Sequence, residues 1–293
     1  MKKDVIVGMG EALWDVLPEG RKIGGAPANF AYHAKQFGYD SHVVSAVGAD
    51  ELGREILDNL GEKEMNLEIA TVEFPTGTVD VKFTRPGMPE YSINEGAAWD
   101  NIPWSDSLGE LASRTKAVCF GSLAQRSAIS RNTIRRFIDA MPQGEDVLKV
   151  YDINLRQHYY SREVIEDSLL AANILKINDD EIKIVSRLFE FGDVSMENAC
   201  WILLAKYGLK MVILTCGDKG SYVFAPGEKS YMDTPKVEVA DTVGAGDSFT
   251  AAFISSILRG KPLREAHRAA VETSAFVCTQ AGAMPLLPPE ITA

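Results

Sequence analysis

Cysteine and histidine are scarce in this sequence, with four of each among 293 residues. The cysteines are far apart and form no C-x-x-C pair. This argues against a disulfide framework or a zinc site and predicts reduced, mostly buried thiols in a cytoplasmic protein. The histidines lack metal-ligand spacing, and we expect them on the surface or on helix faces. These residues are Cys119, Cys200, Cys216, Cys278, His33, His42, His158 and His267.

Basic residues are also outnumbered, since 30 Lys and Arg face 41 Asp and Glu and give a formal charge of −11. Because phosphate contacts need clustered cations, this balance argues against nucleic acids and anionic membranes as partners. A bound phosphate should instead be held by backbone amides and a few cations. We expect neither a signal segment nor a membrane span, because the apolar run at residues 5–7 soon meets Glu11 and Asp15.

Several common nucleotide-binding motifs are missing as well. The sequence has no G-x-x-x-x-G-K-[ST] loop and lacks the glycine loop, H-R-D and D-F-G set of protein kinases. Gly8-Met9-Gly10 follows an apolar run, but Leu13 stands where a dinucleotide-binding fingerprint needs its third glycine. A bound nucleotide would therefore need a different loop.

Hydrophobic residues make up 46% of the chain, enough for a sizeable core. Short β-rich runs alternate with helical stretches, which is typical of an α/β domain with a largely parallel sheet. Strands are predicted at residues 4–8, 41–47, 117–120, 147–152, 174–177, 211–215 and 221–224. Helices are predicted at residues 28–37, 51–60, 129–140, 162–172, 179–189, 196–207, 248–259 and 263–279.

A different pattern interrupts this alternation. Val79, Val81 and Phe83 alternate with polar residues, and the alternation resumes at Tyr91 after a turn. This pattern predicts a β-hairpin with one apolar face, and residues 12–23 could add strands beside it. A small sheet that projects from an α/β body would serve as a lid, although an ordinary edge hairpin fits the same spacing.

The most specific motif covers residues 241–253, where small residues open a predicted helix. Gly244, Ala245 and Gly246 permit a tight bend, and the free amides at a helix start form an anion site. Asp247 in the same turn could meet a hydroxyl that attacks a bound phosphate. A glycine-containing turn with an acidic residue is the structural alternative.

Residues 24–29 carry the second motif. Gly24 and Gly25 permit close backbone approach, and Asn29 offers donors and an acceptor for hydroxyl groups. Asp15, upstream, could accept hydrogen bonds from two sugar hydroxyls. Helix capping by Asn29 and a solvated turn at Asp15 are the structural alternatives.

Three further segments follow predicted strands. Asn178 and Glu181 share a helix turn and have oxygens that suit Mg²⁺, although acidic enrichment at a helix start explains much of this segment. Residues 215–220 could bring backbone and a hydroxyl to a nucleotide, or form a plain hairpin turn. Arg156, which ends residues 152–156, is a candidate cation for the transferred phosphoryl group or the substrate.

In this order, the motifs resemble the ribokinase-like (PfkB) family of carbohydrate kinases over almost the whole chain. Residues 24–29 (GGAPAN) resemble its N-terminal signature, and residues 241–253 resemble its C-terminal signature. The Gly-Glu-x-Leu-x-Asp, GGAPAN and Asp-x-Asn-x-Arg segments are most similar to the fructokinase branch. Ala26 stands where ribokinases typically carry Lys, which disfavours ribose, and Trp99 departs from the commoner pattern near the lid.

The resemblance implies a three-layer α/β/α domain with a mostly parallel central sheet and a small β-sheet lid. The core would comprise residues 1–11, 25–73 and 102–293, and the lid would comprise residues 12–24 and 74–101. The implied activity is transfer of a phosphoryl group from ATP to the primary hydroxyl of D-fructose, which gives fructose 6-phosphate. Mg²⁺ and K⁺ are the implied ions.

The resemblance also implies roles for single residues. Asp247 would be the catalytic base, the loop of Gly244, Ala245 and Gly246 the anion hole, and Arg156 a further cation. The implied sugar-binding residues are Asp15, Gly24, Gly25, Asn29 and Asp247. The implied nucleotide-binding residues are Asn178, Thr215, Gly217, Gly220, Gly244 and Gly246. The implied metal-binding residues are Asn178 and Glu181 for Mg²⁺ through water, and Asp241, Val243, Cys278, Ala281 and Ala283 for K⁺.

Three alternatives stay open. A 2-keto-3-deoxygluconate kinase would need extra cations near the sugar, for which Arg85 and Arg156 are the candidates. A nucleoside kinase of the family would need base-stacking groups near the lid, and a catalytically silent sugar-binding regulator would not need Asp247. The expected partners are a sugar and ATP, and a homodimer would form through the apolar face of the lid.

Overall fold

The computed structural model describes residues 3–17, 20–85 and 88–293, and it describes their side chains except those of residues 17 and 81–91. Its strands are β1 (Val5–Met9), β2 (Leu13–Leu17), β3 (Gly20–Gly24), β4 (Asp40–Gly48), β5 (Asn66–Val72), β6 (Gly77–Arg85), β7 (Met88–Ile93), β8 (Thr115–Phe120), β9 (Leu148–Asp152), β10 (Ile174–Asn178), β11 (Met211–Thr215), β12 (Ser221–Ala225) and β13 (Glu228–Met232). Its α-helices are α1 (Ala26–Gln36), α2 (Glu51–Glu62), α3 (Asp106–Ser113), α4 (Ala128–Ala140), α5 (Arg162–Ala171), α6 (Glu181–Leu188), α7 (Met196–Tyr207), α8 (Ala245–Leu258), α9 (Leu263–Cys278) and α10 (Pro289–Thr292).

The larger sheet has the order β13-β12-β11-β10-β9-β8-β1-β4-β5, and it is parallel from β11 to β5. Successive side chains of a strand point to opposite faces. Accordingly, Ile6 of β1 packs in one apolar cluster with Phe253 of α8, whereas Val7 packs in another with Phe137 of α4. Helices therefore cover both faces, which confirms the three-layer α/β/α architecture.

A second sheet has the order β3-β2-β6-β7 and carries the predicted hairpin, with β2 and β3 added as the sequence suggested. Leu13, Val79 and Ile93 pack with Trp99 in a core cluster of the large body, so this sheet shares its base with the main core. The division between core and lid stays a prediction. The side chains of Val81, Phe83, Arg85 and Tyr91, on which the apolar outer face and one candidate cation depend, lie outside the described residues.

Some elements escaped the sequence patterns. Strand β5 lies at the sheet edge, half exposed, so it lacks the continuous apolar run of the central strands. Helix α3 has only eight residues. The expectation for the histidines is wrong for His42, which is buried on strand β4, whereas His33 and His267 lie on helices, where both are buried. His33 and His267 bond to polar groups of the interior, as in the contact between His267 and the hydroxyl of Ser221.

Parallel order places the carboxyl ends of β1, β8, β9, β10 and β11 at one edge of the large sheet. Ligands of open α/β sheets bind outside this edge. The polar residues that follow these strands therefore converge there, next to the second sheet. Among the residues that the structure describes, no helix is long and apolar enough to cross a membrane.

Candidate active site

The glycine-rich turn before α8 forms one wall of the site. Gly244 has φ +78° and caps the helix, and a Cβ there would lie 2.7 Å from the Ala283 carbonyl oxygen, so only glycine fits. The Ala245 amide donates to the Thr242 carbonyl at 3.3 Å. The amides of Gly246 and Asp247 are therefore the better anion donors, since first-turn amides have no acceptor within their helix.

Asp247 is held by a side chain from the opposite end of the sequence. Asn29 of α1 donates from Nδ2 to Asp247 Oδ2 at 2.8 Å. Asn29 lies inside α1 and is buried, whereas Gly25 is the N-cap residue, so the capping alternative for Asn29 is wrong. The contact leaves one carboxylate oxygen of Asp247 for another partner.

A buried ion pair lies beneath the anion turn. Lys176 of β10 and Asp152 of β9 are directly opposite in the sheet register, and Lys176 Nζ is 3.2 Å from Asp152 Oδ1. A Cβ on Gly246 would lie 3.1 Å from Lys176 Nζ, so the ammonium group is packed against the start of α8. Burial opposes this charge, but Asp152, Glu181 and Asp247 raise the pKa of Lys176 overall.

This environment makes Asp247 a stronger base than an ordinary aspartate. Burial, supported by the charge of Asp152, raises its pKa from 3.8 to about 6. The hydrogen bond from Asn29 and the charges of Lys176 and Arg156 oppose that rise. A carboxyl group with such a pKa is ionised at neutral pH and still accepts a proton readily.

Glu11 is a second buried carboxyl group in the same place. It follows β1, is 4% exposed, and lines a small cavity together with Asp152 and Asp247. Burial is the main cause that raises its pKa from 4.5 to about 7. In the sequence, Glu11 is part of the Gly-Glu-x-Leu-x-Asp segment, and that pattern predicted no role for it.

Sequence reasoning also missed Lys176 and gave Asp152 no separate role. The available signal was a lysine within the otherwise apolar stretch Ile174–Asn178, because a charge in a buried strand needs a partner. The partner could not be named without the register between β9 and β10.

The expected sugar-binding residues lie where β2 and β3 pair. Leu13 of β2 is opposite Gly24 of β3, and a Cβ on Gly24 would lie 2.7 Å from Asp15 Oδ2. Gly25, with φ +120°, passes so close to Glu11 that a Cβ would lie 2.4 Å from the Glu11 carbonyl oxygen. Asp15 is partly exposed, and burial raises its pKa against the opposing charges of Arg156 and Lys22.

Arg156 lies in the loop after β9, between two residues with positive φ, Asn154 at 40° and Gln157 at 49°. The Arg156 side chain is exposed, and its charge lowers the pKa values of both Glu11 and Asp247. The loop therefore brings a solvent-accessible cation to the carboxylate cluster.

The Asn178 and Glu181 pair forms a closed hydrogen-bonded turn. Asn178 Oδ1 accepts from the amide of Glu181 at 2.9 Å, and Glu181 Oε2 accepts from the amide of Asn178 at 2.9 Å. Glu181 Oε1 accepts from the amide of Leu155 at 2.9 Å, and Glu181 is 4% exposed. Because both carboxylate oxygens already accept amides, these residues fit Mg²⁺ through intervening water rather than as direct ligands.

The expected nucleotide turn joins β11 to β12. Gly217 has φ +57°, and Gly220 has φ +96° with the Met232 carbonyl oxygen 2.5 Å from where its Cβ would lie. Thr234, which sequence reasoning missed, donates to the Gly217 carbonyl and accepts from the Gly220 amide. Thr215 ends β11 beside this turn, so a tight hairpin with accessible backbone is the observed arrangement.

The residues expected around K⁺ also lie together. The amides of Ala240 and Asp241 donate to the Cys278 carbonyl, and Asp241 Oδ2 accepts from the Gly282 amide at 3.2 Å. Ala281 and Ala283 flank that glycine, and Val243 bonds from its amide to Asp241 Oδ1. The Cys278 carbonyl already accepts both amides, so the oxygens that this corner offers a monovalent cation are the Asp241 carboxylate and the carbonyls of Val243, Ala281 and Ala283. Lys22 Nζ, 3.6 Å from Asp241 Oδ2, would compete for the carboxylate.

A larger cavity of about 560 Å³ lies between the end of β7 and the starts of α4 and α5. Its lining includes Arg126, Arg131, His158 and Glu95. Arg126 is paired with Asp100 at 2.8 Å and His158 lies 3.9 Å from Glu95, whereas Arg131 adds a positive charge to the wall.

Comparison with known proteins identifies relatives over most of the chain. An ATP-dependent 6-phosphofructokinase of Thermoanaerobacterium thermosaccharolyticum is 32% identical over 271 residues, 90% of this chain and 81% of that protein. Fructokinase-2 of Zea mays is 27% identical over 317 residues, 99% of this chain and 93% of that protein.

Two solved structures share the fold. The fructokinase of Xylella fastidiosa with bound ATP has a TM-score of 0.84 at 20% identity, covering 98% of this chain and 95% of that one. A putative ribokinase II of E. coli has a TM-score of 0.82 at 20% identity, covering 99% and 98%. They confirm the expected ribokinase-like fold.

The sequence profile of the pfkB family of carbohydrate kinases matches residues 19–290. This match spans both glycine motifs and the strands β9 and β10, which carry Asp152 and Lys176, and it begins after β1 and Glu11. The chain therefore belongs to the pfkB family of carbohydrate kinases and is a phosphotransferase with an alcohol group as acceptor.

Proposed function

We propose that this carbohydrate kinase transfers the γ-phosphoryl group of ATP to the primary hydroxyl of D-fructose and releases fructose 6-phosphate. The observation that carries the proposal is Asp247, a partly buried carboxylate held by Asn29 at the start of α8 and next to free amides. Fructokinases among the relatives, such as that of Zea mays, support fructose as the acceptor.

The site suits a loose, anionic transition state, for which positioning and charge stabilisation dominate. Asp247 accepts the proton of the attacking hydroxyl, which is worth roughly 10²–10⁴-fold in general-base catalysis. The amides at Gly246 and Asp247 receive the charge that develops on the phosphoryl oxygens, with Arg156 as the accessible cation. Asp15, Gly24, Gly25 and Asn29 orient the sugar.

The remaining groups prepare the donor and exclude water. The turn at Thr215, Gly217 and Gly220 receives the nucleotide, and the second sheet closes over the sugar so that water does not compete for the phosphoryl group. Mg²⁺, when bound, neutralises phosphate charge, and Asn178 and Glu181 would hold it through water. The corner at Asp241, Val243, Cys278, Ala281 and Ala283 would hold K⁺.

A second candidate is phosphorylation of fructose 6-phosphate rather than fructose. The relative from Thermoanaerobacterium thermosaccharolyticum that carries this activity in its name is 32% identical. Arg131, in the lining of the larger cavity, offers a charge that a second phosphate would require. Both candidates use the same base and differ in what occupies the far end of the sugar site.

The decisive experiment measures ADP release from Mg-ATP in the presence of K⁺ with several acceptors. The panel contains fructose, fructose 6-phosphate, ribose, 2-keto-3-deoxygluconate, adenosine and no acceptor. We expect a strong response to fructose, and a response to fructose 6-phosphate alone would favour the second candidate. A response to 2-keto-3-deoxygluconate or adenosine would contradict both.

Silence across the panel would favour a sugar-binding regulator, provided that a thermal shift shows that the protein is folded and binds sugar. Asp247→Asn is the matched variant for every active acceptor, because it keeps the side-chain size and removes the base. The cytoplasmic location and a homodimer through the second sheet belong to the same proposal, and light scattering at several protein concentrations tests the dimer.

A further inference from the structure

Among the described residues, Glu11 has no ion-pair partner that explains its burial. Its side chain is 4% exposed, its own backbone amide bonds to the carboxylate, and Oε2 is buried with no hydrogen-bond partner from the protein. Buried polar atoms are nearly always satisfied, and an ionised carboxylate that is left unpaired carries a large desolvation cost. The mechanism given above uses Asp247 and leaves Glu11 without a task.

Glu11, Asp152 and Asp247 are among the residues that line the same small cavity. Its free volume is about 10 Å³, room for about one water molecule. Glu11 comes from the end of β1, Asp152 from the end of β9 and Asp247 from the first turn of α8. The fold thus brings three acidic residues to the lining of one small cavity.

The charges around the cavity do not balance when all three acids are ionised. Lys176 pairs with Asp152 at 3.2 Å, and Arg156 is the other cation whose charge acts on both Glu11 and Asp247. Among the described residues, these three carboxylates, together with Glu181 beside Lys176, outnumber the two cations, so negative charge is in excess in a region of low dielectric. Taking up one proton reduces that excess.

Glu11 is the natural holder of this proton. Asp152 has its ammonium partner, and Asp247 has the hydrogen bond from Asn29, whereas Glu11 Oε2 has neither. The other groups around Glu11 are Cys119 of β8, whose thiol pKa is raised well above its ordinary value by burial, and Arg156. Burial, together with Asp247 and Asp152, raises the pKa of Glu11 to about 7, although the hydrogen bond from its own backbone and the charge of Arg156 oppose that rise.

We propose that Glu11 is a positioning residue for phosphoryl transfer, because Glu11 and Asp247 share one proton. When Glu11 holds this proton, Asp247 is ionised and can act as the base. This inference rests on the proposed kinase mechanism. During transfer the sugar O–H bond breaks and its proton goes to Asp247. The O–P bond forms as the bond between the γ-phosphorus and the β-phosphate oxygen breaks and ADP leaves. The cluster then holds one proton more than before, and it returns that proton to solvent when the products depart.

The shared proton predicts a specific change in the pH dependence of turnover. Glu11→Gln mimics the protonated carboxyl group and removes a negative charge next to Asp247. We expect the acid limb of kcat/KM to move to lower pH and the inflection near pH 7 to disappear. The rate at neutral pH should fall by roughly 10-fold at most, far less than the 10²–10⁴-fold loss expected without the base.

Glu110→Gln serves as the control, because Glu110 is exposed on α3 and far from the site in the sequence. It should reproduce the wild-type pH profile. If Glu11→Gln fails to fold, Glu11→Asp keeps the charge and a smaller side chain, and the proposal then expects the inflection to move rather than vanish. An unchanged acid limb in a folded Glu11→Gln variant would overturn the proposal.

A measurement without turnover separates this proposal from the kinase assignment. Infrared difference spectra between pH 4 and 9 should show a glutamic acid carboxyl band that titrates near pH 7 in the wild type and is absent in Glu11→Gln. Because coupled sites affect each other reciprocally, Asp247→Asn should lower the midpoint of this band. If the protein phosphorylates no sugar but shows this band, the shared proton is supported and the proposed kinase function is contradicted. If the band is missing, only the shared proton is contradicted.

Discussion

The acid–base side and the nucleotide side of the site differ in how far the fold itself buries and positions their residues. On the acid–base side, Glu11, Asn29, Asp152 and Lys176 are all buried and come from the ends of regular elements. On the nucleotide side, the stretch before α8 is largely exposed, with Val239 at 58% and Val243 at 47%. The acid–base side is therefore set by the fold, whereas the nucleotide side takes its partners from the bound donor.

This difference predicts where substitutions affect the rate and where they affect binding. A buried, hydrogen-bonded cluster has little freedom to adapt, because each partner that is removed leaves an unsatisfied group. An exposed turn can readjust, and water can replace a lost contact. The predictions below test this contrast from the largest expected effect to the smallest.

The largest effect is expected at the base itself. Asp247→Asn should lower kcat by roughly 10²–10⁴-fold, because the amide cannot accept the hydroxyl proton. Asp218→Asn is the matched change on the nucleotide side, where Asp218 is exposed in the turn after β11, and it should leave kcat close to wild type. Steady-state kinetics with saturating sugar measure kcat of both variants. Equal losses of kcat would contradict the contrast between the acid–base side and the nucleotide side.

Removing the buried ammonium should mainly affect stability. Lys176→Met leaves Asp152 as an unpaired buried carboxylate and should reduce the free energy of unfolding by about 3–5 kcal/mol. Adding Asp152→Asn to the same chain should restore part of that loss, since the stranded charge is gone. Urea unfolding of the two variants measures the difference. A double variant less stable than Lys176→Met would show that the pair does not act as described.

Two glycines with positive φ provide a further contrast. Gly244→Ala combines a left-handed backbone at φ +78° with a Cβ 2.7 Å from the Ala283 backbone, so the turn must move. Gly217→Ala has φ +57° and no atom within 4 Å of the new Cβ, so only the backbone strain of about 1–2 kcal/mol remains. The melting temperature of Gly244→Ala should therefore be lower than that of Gly217→Ala. The reverse order would mean that the anion turn is not fixed by the contact with Ala283.

The smallest effect is a pH-dependent gain of stability when the base is removed. The folded-state pKa of Asp247 is raised from 3.8 to about 6, so the folded chain binds the proton more tightly than the unfolded chain. Its favourable contribution is present below pH 3.8 and is lost as the pH rises through 6. Asp247→Asn should melt a few degrees above the wild type at pH 8 and match it near pH 3. A difference in melting temperature between the variant and the wild type that does not depend on pH would contradict the raised pKa of Asp247.

The sequence predicted the strands of the central sheet well, because buried parallel strands are continuous apolar runs. It also predicted the hairpin from the alternation around Val79 and the turn before α8 from Gly244 and Gly246. It did not predict β5, whose edge position leaves none of its seven residues fully buried. A local pattern cannot identify a strand whose stability comes from one neighbour.

The carboxylate cluster was predictable only in part, for a similar reason. Asp247 stands in a recognisable motif, so its role could be inferred from local chemistry. A role could be assigned to Glu11, Asp152 and Lys176 only once the strand pairing was known, because that pairing brings the ends of β1, β9 and β10 together. Separations of more than a hundred residues, as between Glu11 and Asp152, leave no trace in a short sequence window.

The most direct test of the account is a crystal structure with fructose and a non-hydrolysable ATP analogue. We predict that the primary hydroxyl of the sugar lies within about 2.6–3.2 Å of an Asp247 carboxylate oxygen. The contacts from Asn29 to Asp247 and from Lys176 to Asp152 should be kept while the nucleotide side rearranges. A hydroxyl that instead contacts Asp15, or an Asp247 turned away from Asn29, would contradict the central claim that the fold alone prepares the base.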